Sequence, residues 1–364
     1  MTQPTPEPAQ SGPIRSELAH AAVADLVAGR TLDATRTEAL FDDLLAGKLD
    51  DAQIGAVLAL IQARGVAHEE LLGAARVMRR RVTRVPFEAG TGETLIDTCG
   101  TGGAAKTFNI STAAAIVAAS ATPSPESGLT RVVVAKHGNR SRTGRGSAEV
   151  LAELGINLDA SPEVQAACLR EVGVCFCFAI KHHPAMRFAA GPRKSLGVPT
   201  VFNLLGPLTN PAGAARQMIG VYRAEFVELV ARTLAGLGAQ AGLVAHSADG
   251  MDELSTAGAN SVAWVEGGSV RTETIDGSAF GLESAGPDEL RAGDVGEAAG
   301  LVRTALDGSS ARHRDVVLLN AGAALVVAGA TGSIGDGIER ARAAVESGAA
   351  VRTLESLVRV SNNA

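Results

Sequence analysis

The feature that most constrains this chain is a change of hydrophobic period at Gly90. From Ile14 to about Val85 the apolar residues recur at helical spacing. Leu40, Phe41, Leu44 and Leu45 fall on one face of a helix, and Ile54, Val57, Leu58, Leu60 and Ile61 mark the next. Asp50 or Asp51 is placed to cap that second helix and Gly65 to end it, and a third runs from about His68 to Arg81. Beyond Gly90, short β-branched runs alternate with Ala-rich helical stretches. Residues 94–97 precede a helix from Ser111 to Ala119, and residues 131–135 precede one near Ala148 to Leu154. Val172 to Phe178, Gln217 to Tyr222 and Ala241 to His246 read as further strands, 261–276 as a hairpin, and 296–361 as closing helices. Strand, loop, helix, strand implies parallel pairing, because parallel strands need a long crossover. The expected fold class is α/β: a small all-helical domain plus a larger α/β domain with a mostly parallel central sheet. The expected division is a tail over 1–13, helices over 14–88, and α/β structure over 89–180 and 207–364, with 181–206 adding helices or a hinge.

At 364 residues the chain exceeds what one hydrophobic core usually organises. An apolar fraction of 46% with 20% charged residues excludes a disordered chain, and 3% aromatics means cores of Ala, Val, Leu and Ile. A net charge of −6 argues against general binding of nucleic acid or anionic membrane. Cys99, Cys168, Cys175 and Cys177 lack CxxC spacing and are expected to be reduced and buried. The first residues carry no signal-peptide pattern, and the run Val316–Ala330 is short for a bilayer and is interrupted by Asn320. A cytoplasmic protein is expected.

Four loops carry chemistry. Asp97 to Thr112 leaves a strand and enters a helix; Gly100, Gly102 and Gly103 let backbone amides approach an anion, and Asn109, Ser111 and Thr112 sit at the helix start. A tight turn with an N-cap is the plain alternative. Lys136 to Ser147 follows the next strand and carries Lys136, Arg140, Arg142 and Arg145, a set that a solvated charge run also explains. Two such loops at one sheet edge suit a ligand with two separated phosphates. Asp249 to Thr256 places Asp252 beside Glu253, a pair suited to Mg²⁺ shared with substrate phosphates, or to an exposed acidic turn. Residues 182–211 hold His182, His183, Met186, Arg193 and Pro207. Adjacent histidines rarely converge on one ion, and Arg193 could clamp a carboxylate or simply lie on the surface.

In their order, Gly100-Thr101-Gly102-Gly103, Asn109-x-Ser111-Thr112, Lys136-His137-Gly138-Asn139-Arg140, His183-Pro184-Ala185-Met186, Asn203 to Pro211 and Asp252-Glu253 resemble the anthranilate phosphoribosyltransferase family, from about residue 15 to 360. The resemblance implies a helical domain joined to an α/β domain of nucleoside phosphorylase type, and a homodimer formed through the helices. It implies Mg²⁺-dependent transfer of phosphoribose from phosphoribosyl pyrophosphate to the amine of anthranilate, in tryptophan biosynthesis. By position, Gly100, Thr101, Gly102, Gly103, Lys106, Thr107, Asn109, Ser111, Thr112, Lys136, Arg145 and Ser147 would hold the donor. Ser111, Asp252 and Glu253 would hold the metal. Gly100, His137, Asn139, His183, Met186, Arg193 and Pro207 would bind anthranilate, and Lys136, Asp252 and Glu253 would stabilise the transition state.

The chain departs from the family pattern where Ala104-Ala105-Lys106 replaces an Asp-Gly after the glycines, where Arg145-Gly146-Ser147 is a residue short, and in the Pro/Ser-rich stretch 122–128, read as a surface loop. Two other readings stand beside the transferase for anthranilate: a phosphoribosyltransferase for a different aminobenzoate, and a non-catalytic relative that binds nucleic acid.

Overall fold

The computed structural model describes residues 16–105, 107–141 and 144–363; the expected tail, Lys106 and Arg142 lie outside the described residues. Two compact units divide the chain. The smaller runs to Val77 and takes in Ala185–Val201; the larger comprises Met78–Pro184 and Phe202–Ala364.

In the smaller unit the helices Ala34–Leu45 and Asp51–Arg64 bury Leu40, Phe41, Leu44, Leu45, Ile54, Val57, Leu58 and Ile61 as expected, with Leu60 half-buried. Glu17–Val27, which the sequence reading did not single out, buries Ala19, Ala22 and Leu26. Asp50 and Gln53 form a reciprocal capping box at the start of Asp51–Arg64, so two orphan amides are satisfied there. Glu70 is buried without penalty because its carboxylate accepts from the Leu32 and Ala67 amides and pairs with Arg64. The returning helix Arg187–Leu196 packs on Asp51–Arg64 and Ala34–Leu45.

The larger unit is built on one seven-stranded sheet. Its strands are β1 (Glu93–Gly100), β2 (Arg131–Gly138), β3 (Val174–Phe178), β4 (Arg216–Gly220), β5 (Ala241–Ser247), β6 (Ala259–Glu266) and β7 (Ser269–Asp276). Their order is β3-β2-β1-β4-β5-β6-β7; the first five are parallel and β6 and β7 close the sheet as an antiparallel hairpin. The chain steps outward from β1 to β3 and then restarts at β4 on the other side of β1. Ligands bind at such a reversal, outside the carboxyl ends of the strands. The helices Ile110–Ser120 and Ala311–Ala328 pack on each other and on β1, and both are buried almost along their whole length. Small residues make that possible: a Cβ on Gly337 would lie 2.4 Å from the Gly322 carbonyl oxygen, so Ala311–Ala328 meets Ile334–Glu346 backbone to backbone.

Three details differ from the sequence reading. Segment 78–88 hydrogen-bonds within the larger unit: Arg79 donates to the carbonyls of Leu208 (2.7 Å) and Leu237 (3.3 Å), and the Val85 amide to Pro211 (3.2 Å). The unit boundary therefore falls at Val77, and the returning segment is Ala185–Val201. Helices Pro162–Glu171 and Phe226–Gly236 add cover that the strand pattern did not single out. The 122–128 stretch, read as a surface loop, has Thr122, Pro125, Glu126 and Gly128 exposed but Pro123 and Ser124 buried. It is anchored where Arg340 donates to the Thr122 and Pro123 carbonyls and the Ser124 amide to Ala330. The four cysteines are free and buried, as expected. Among the described residues no helix is long and apolar enough to cross a membrane.

Candidate active site

Three loops of the larger unit meet at the carboxyl ends of β1 and β4. Gly100 ends β1 opposite Gly220 at the end of β4. The acidic loop after β5 lies across both. A Cβ at Gly100 would sit 2.7 Å from Asp252 Oδ2, and one at Gly220 only 1.5 Å from the Asp252 carbonyl oxygen. The glycine loop then turns back over Asp252: the Gly102 amide donates to Asp252 Oδ2 (3.1 Å), with Gly102 at φ 64° and Gly103 at φ 95°, a region that favours glycine. Thr101 is fixed at the same edge, its amide donating to Gly220 O and its hydroxyl accepting from the Tyr222 amide.

At the start of helix Ile110–Ser120 the Ser111 amide donates to Glu253 Oε1 (3.2 Å). From β2, Lys136 reaches the same place, donating from Nζ to the Thr98 carbonyl (2.7 Å) and to Ser111 Oγ (3.0 Å). Burial lowers the Lys136 pKa, while burial and then the neighbouring Asp252 charge push Glu253 up to about 8; burial also raises Asp252. A site that crowds two carboxylates in this way is relieved by a cation. Asp252, Glu253 and the Ser111 hydroxyl offer only hard oxygen donors, which suits a small divalent ion that draws its remaining ligands from phosphate and water. Among the described residues there is no cluster of three or more His, Cys, Asp or Glu that would cage a metal alone. Asn109 Oδ1 and Thr112 Oγ1 are buried without a partner at the same helix start, the kind of orphan that a bound polar ligand satisfies.

On the β2 side, His137 Nδ1 faces the Gly206 carbonyl at 3.0 Å, an acceptor only, which puts the proton on Nδ1. Its bare Nε2 then accepts from His183 Nε2 at 3.2 Å. Burial drives the His137 pKa far down and brings His183 to about 4, so both rings are neutral. His182 turns away to the Thr83 carbonyl and Gln165, and the adjacent histidines do not converge. Beneath this pair lies Asp97, fully buried in β1. It accepts from the His137 amide (3.0 Å) and from Gln217 Nε2 (3.4 Å), and Gln217 also donates to the Pro207 carbonyl (2.7 Å). Asp97 and Gln217 thus tie β1, β2 and β4 to the loop that carries Pro207.

Two family models match the chain: "Glycosyl transferase family, a/b domain" over residues 92–351 and "Glycosyl transferase family, helical bundle domain" over residues 21–82. Anthranilate phosphoribosyltransferase of Methylobacterium radiotolerans is 46% identical over 343 residues, covering 94% of this chain and 96% of that protein. The enzyme of that name from Rubrobacter xylanophilus is 46% identical over 337 residues, 92% of this chain and 95% of that one. The chain belongs to the anthranilate phosphoribosyltransferase family. The crystal structure of the Thermus thermophilus member has 38% identity and a TM-score of 0.84, covering 93% of this chain and 99% of its own. The Saccharomyces cerevisiae member, in complex with PRPP and Mg, has the same fold at 23% identity and a TM-score of 0.84, covering 96% of this chain and 99% of its own.

Set against the family resemblance, the structure gathers Gly100, Thr101, Gly102, Ser111, Lys136, Asp252 and Glu253 at one edge. Gly103 adjoins them, with the Tyr222 ring 3.7 Å from where a Cβ would stand. Thr107 turns its hydroxyl to the Phe108 carbonyl (3.0 Å), Asn109 Nδ2 reaches the Arg145 carbonyl (3.4 Å), and Ser147 Oγ reaches the Asn139 carbonyl (3.4 Å). Met186 and Arg193 belong to the smaller unit, Arg193 within Arg187–Leu196. Asp97, Gln217 and Gly220 were not singled out from the sequence. Asp97 was legible only as the end of an apolar strand, although an aspartate in a run as apolar as Leu95-Ile96 is itself a signal of a buried partner.

Proposed function

We propose that this chain transfers the phosphoribosyl group of phosphoribosyl pyrophosphate to the amine of anthranilate, releasing pyrophosphate and forming N-(5-phosphoribosyl)anthranilate for tryptophan biosynthesis. The observation that carries the proposal is the meeting of the glycine loop, the Ser111 amide, Lys136 and the Asp252-Glu253 pair at the β1/β4 edge. Their chemistry matches a leaving diphosphate. Asp252, Glu253 and Ser111 would hold Mg²⁺, which when bound neutralises charge on the departing pyrophosphate. Lys136 contributes a positive charge held by two fixed acceptors, so no reorganisation is needed as negative charge develops. Thr112 Oγ1 can donate to a phosphate oxygen and Asn109 Oδ1 can accept from a ribose hydroxyl, which would satisfy both buried orphans.

The acceptor needs little base, because an arylamine is neutral at pH 7. His137 fits that demand: with one nitrogen donating to Gly206 and the other accepting from His183, it orients and walls rather than abstracting a proton. Arg193 is proposed for the acceptor carboxylate on the chemistry of its guanidinium. The test is the loss of anthranilate fluorescence on incubation with phosphoribosyl pyrophosphate and Mg²⁺. Asp252→Ala with Glu253→Ala is expected to lower turnover by about 10²-fold or more, the scale of a lost transition-state contact. Arg193→Ala is expected to act mainly on the anthranilate KM. No turnover of anthranilate by the folded wild-type protein would overturn the proposal, and the reverse kinetic pattern would overturn the assignment of the residues.

A further inference from the structure

Asp252 and Glu253 lie in a loop without regular secondary structure, yet the residues on both sides of them are held as tightly as strand residues. Upstream, the Met251 amide donates to Ser247 Oγ (3.0 Å) and the Ser247 amide to the Met251 carbonyl (3.1 Å). Downstream, the clamps are two asparagines. Asn320 Oδ1 accepts from the Leu254 amide (2.9 Å) while its Nδ2 donates to the Leu254 carbonyl (2.9 Å) and to Val316 O (2.8 Å). Asn260 repeats the arrangement one residue on: Oδ1 accepts from the Ser255 amide (2.7 Å) and Nδ2 donates to the Ser255 carbonyl (3.0 Å).

These amides are out of place unless the loop needs them. Asn320 is 1% exposed in the helix Ala311–Ala328 and Asn260 is 0% exposed in β6. Asn320 breaks an otherwise apolar run, and an apolar residue there would pack as well while leaving the Leu254 amide and carbonyl buried and unpaired. Each asparagine offers both its acceptor and its donor to one backbone residue, as a neighbouring strand would. Asn320 also shares one small pocket with Ser111, Thr98 and Glu253.

We infer that Asn320, seconded by Asn260, is a positioning residue for the acidic pair: the two side-chain amides stand in for a missing strand and keep Asp252 and Glu253 aimed at the donor site against their mutual repulsion. The inference rests on reading Asp252 and Glu253 as the cation-holding pair. Preorganisation of this kind shows in the affinity for the cation, since loss of groups that orient metal ligands typically costs about 10–100-fold.

The experiment measures Mn²⁺ binding by electron paramagnetic resonance, with phosphoribosyl pyrophosphate present and anthranilate absent, so that no turnover occurs. Wild type, Glu253→Gln, Asn320→Ala and Asn320→Leu are compared, with thermal unfolding to establish that each is folded. Asn320→Leu fills the same space without charge and removes both hydrogen bonds to Leu254, so it serves if the alanine variant does not fold. Glu253→Gln, Asn320→Ala and Asn320→Leu are each expected to weaken Mn²⁺ by about tenfold or more. In the assay the Asn320 variants should need more Mg²⁺ for half-maximal rate and keep the anthranilate KM. Wild-type Mn²⁺ affinity in the folded Asn320 variants, with Glu253→Gln weakened, overturns the positioning role alone. Wild-type affinity in Glu253→Gln overturns the metal reading and this inference with it.

Discussion

At Gly220 the absence of a side chain sets how close the acidic loop can come. A methyl group there would stand 1.5 Å from the Asp252 carbonyl oxygen and 2.5 Å from its carbon, both backbone atoms that no rotamer change can move aside. Gly220→Ala is therefore expected to displace Asp252 and to cut kcat/KM for phosphoribosyl pyrophosphate by about 10²-fold, while far-ultraviolet circular dichroism stays near wild type. Steady-state kinetics at varied donor concentration check this. His183 gives a second expectation at this scale. Burial takes its pKa from 6.5 to about 4, so between those values the unfolded chain binds a proton that the folded chain does not. Protons thus favour unfolding there: the stability tied to the neutral ring is complete above about pH 6.5 and is lost as the pH falls towards 4. The span is on the order of 3 kcal/mol. His183→Gln should flatten the wild-type fall in urea midpoint across that window without removing it, because His137 is held neutral in the same way.

Elements were legible where the hydrophobic period was clean. The run Val132-Val133-Val134-Ala135 announces β2, and its burial on both faces explains why it is continuous rather than alternating. The helices Pro162–Glu171 and Phe226–Gly236 also carried a signal. Ser161 and Pro162 form a cap, with the Val164 amide donating to Ser161 Oγ, and Phe226, Val227, Val230, Ala231 and Leu234 share a helical face. What no local pattern could supply is the neighbour relation of β1 and β4, since their pairing joins residues more than a hundred positions apart. The same limit hid Asp97 and Gln217, whose meaning depends on that pairing, and left Asn320 as an oddity in an apolar run. By contrast, Asp252 and Glu253 could be picked out because adjacent carboxylates in a loop after a strand are a local feature. One element-level expectation follows from the cap that the structure assigns to Asp50, where the sequence left Asp50 or Asp51 open: Asp50→Ala removes the capping box of Asp51–Arg64 and should cost about 1 kcal/mol, read as a lower thermal midpoint with activity intact.

For the whole molecule, a net charge of −6 coexists with a site built for a polyanion. Lys136 and the Gly102 and Ser111 amides bring donors to the β1/β4 edge despite that overall charge. The aliphatic, Ala-rich cores follow from the scarcity of aromatics and allow the backbone contacts seen between Gly322 and Gly337. The chain also crosses from one unit to the other three times, after Val77, Pro184 and Val201. On the ribosome this fixes an order of events. The helical unit cannot close until Leu196 has emerged, and by then the first three strands of the sheet are already outside the exit tunnel and unaccompanied by the fourth. Neither unit can be finished as a separate act of synthesis, and no single proteolytic cut releases either one whole.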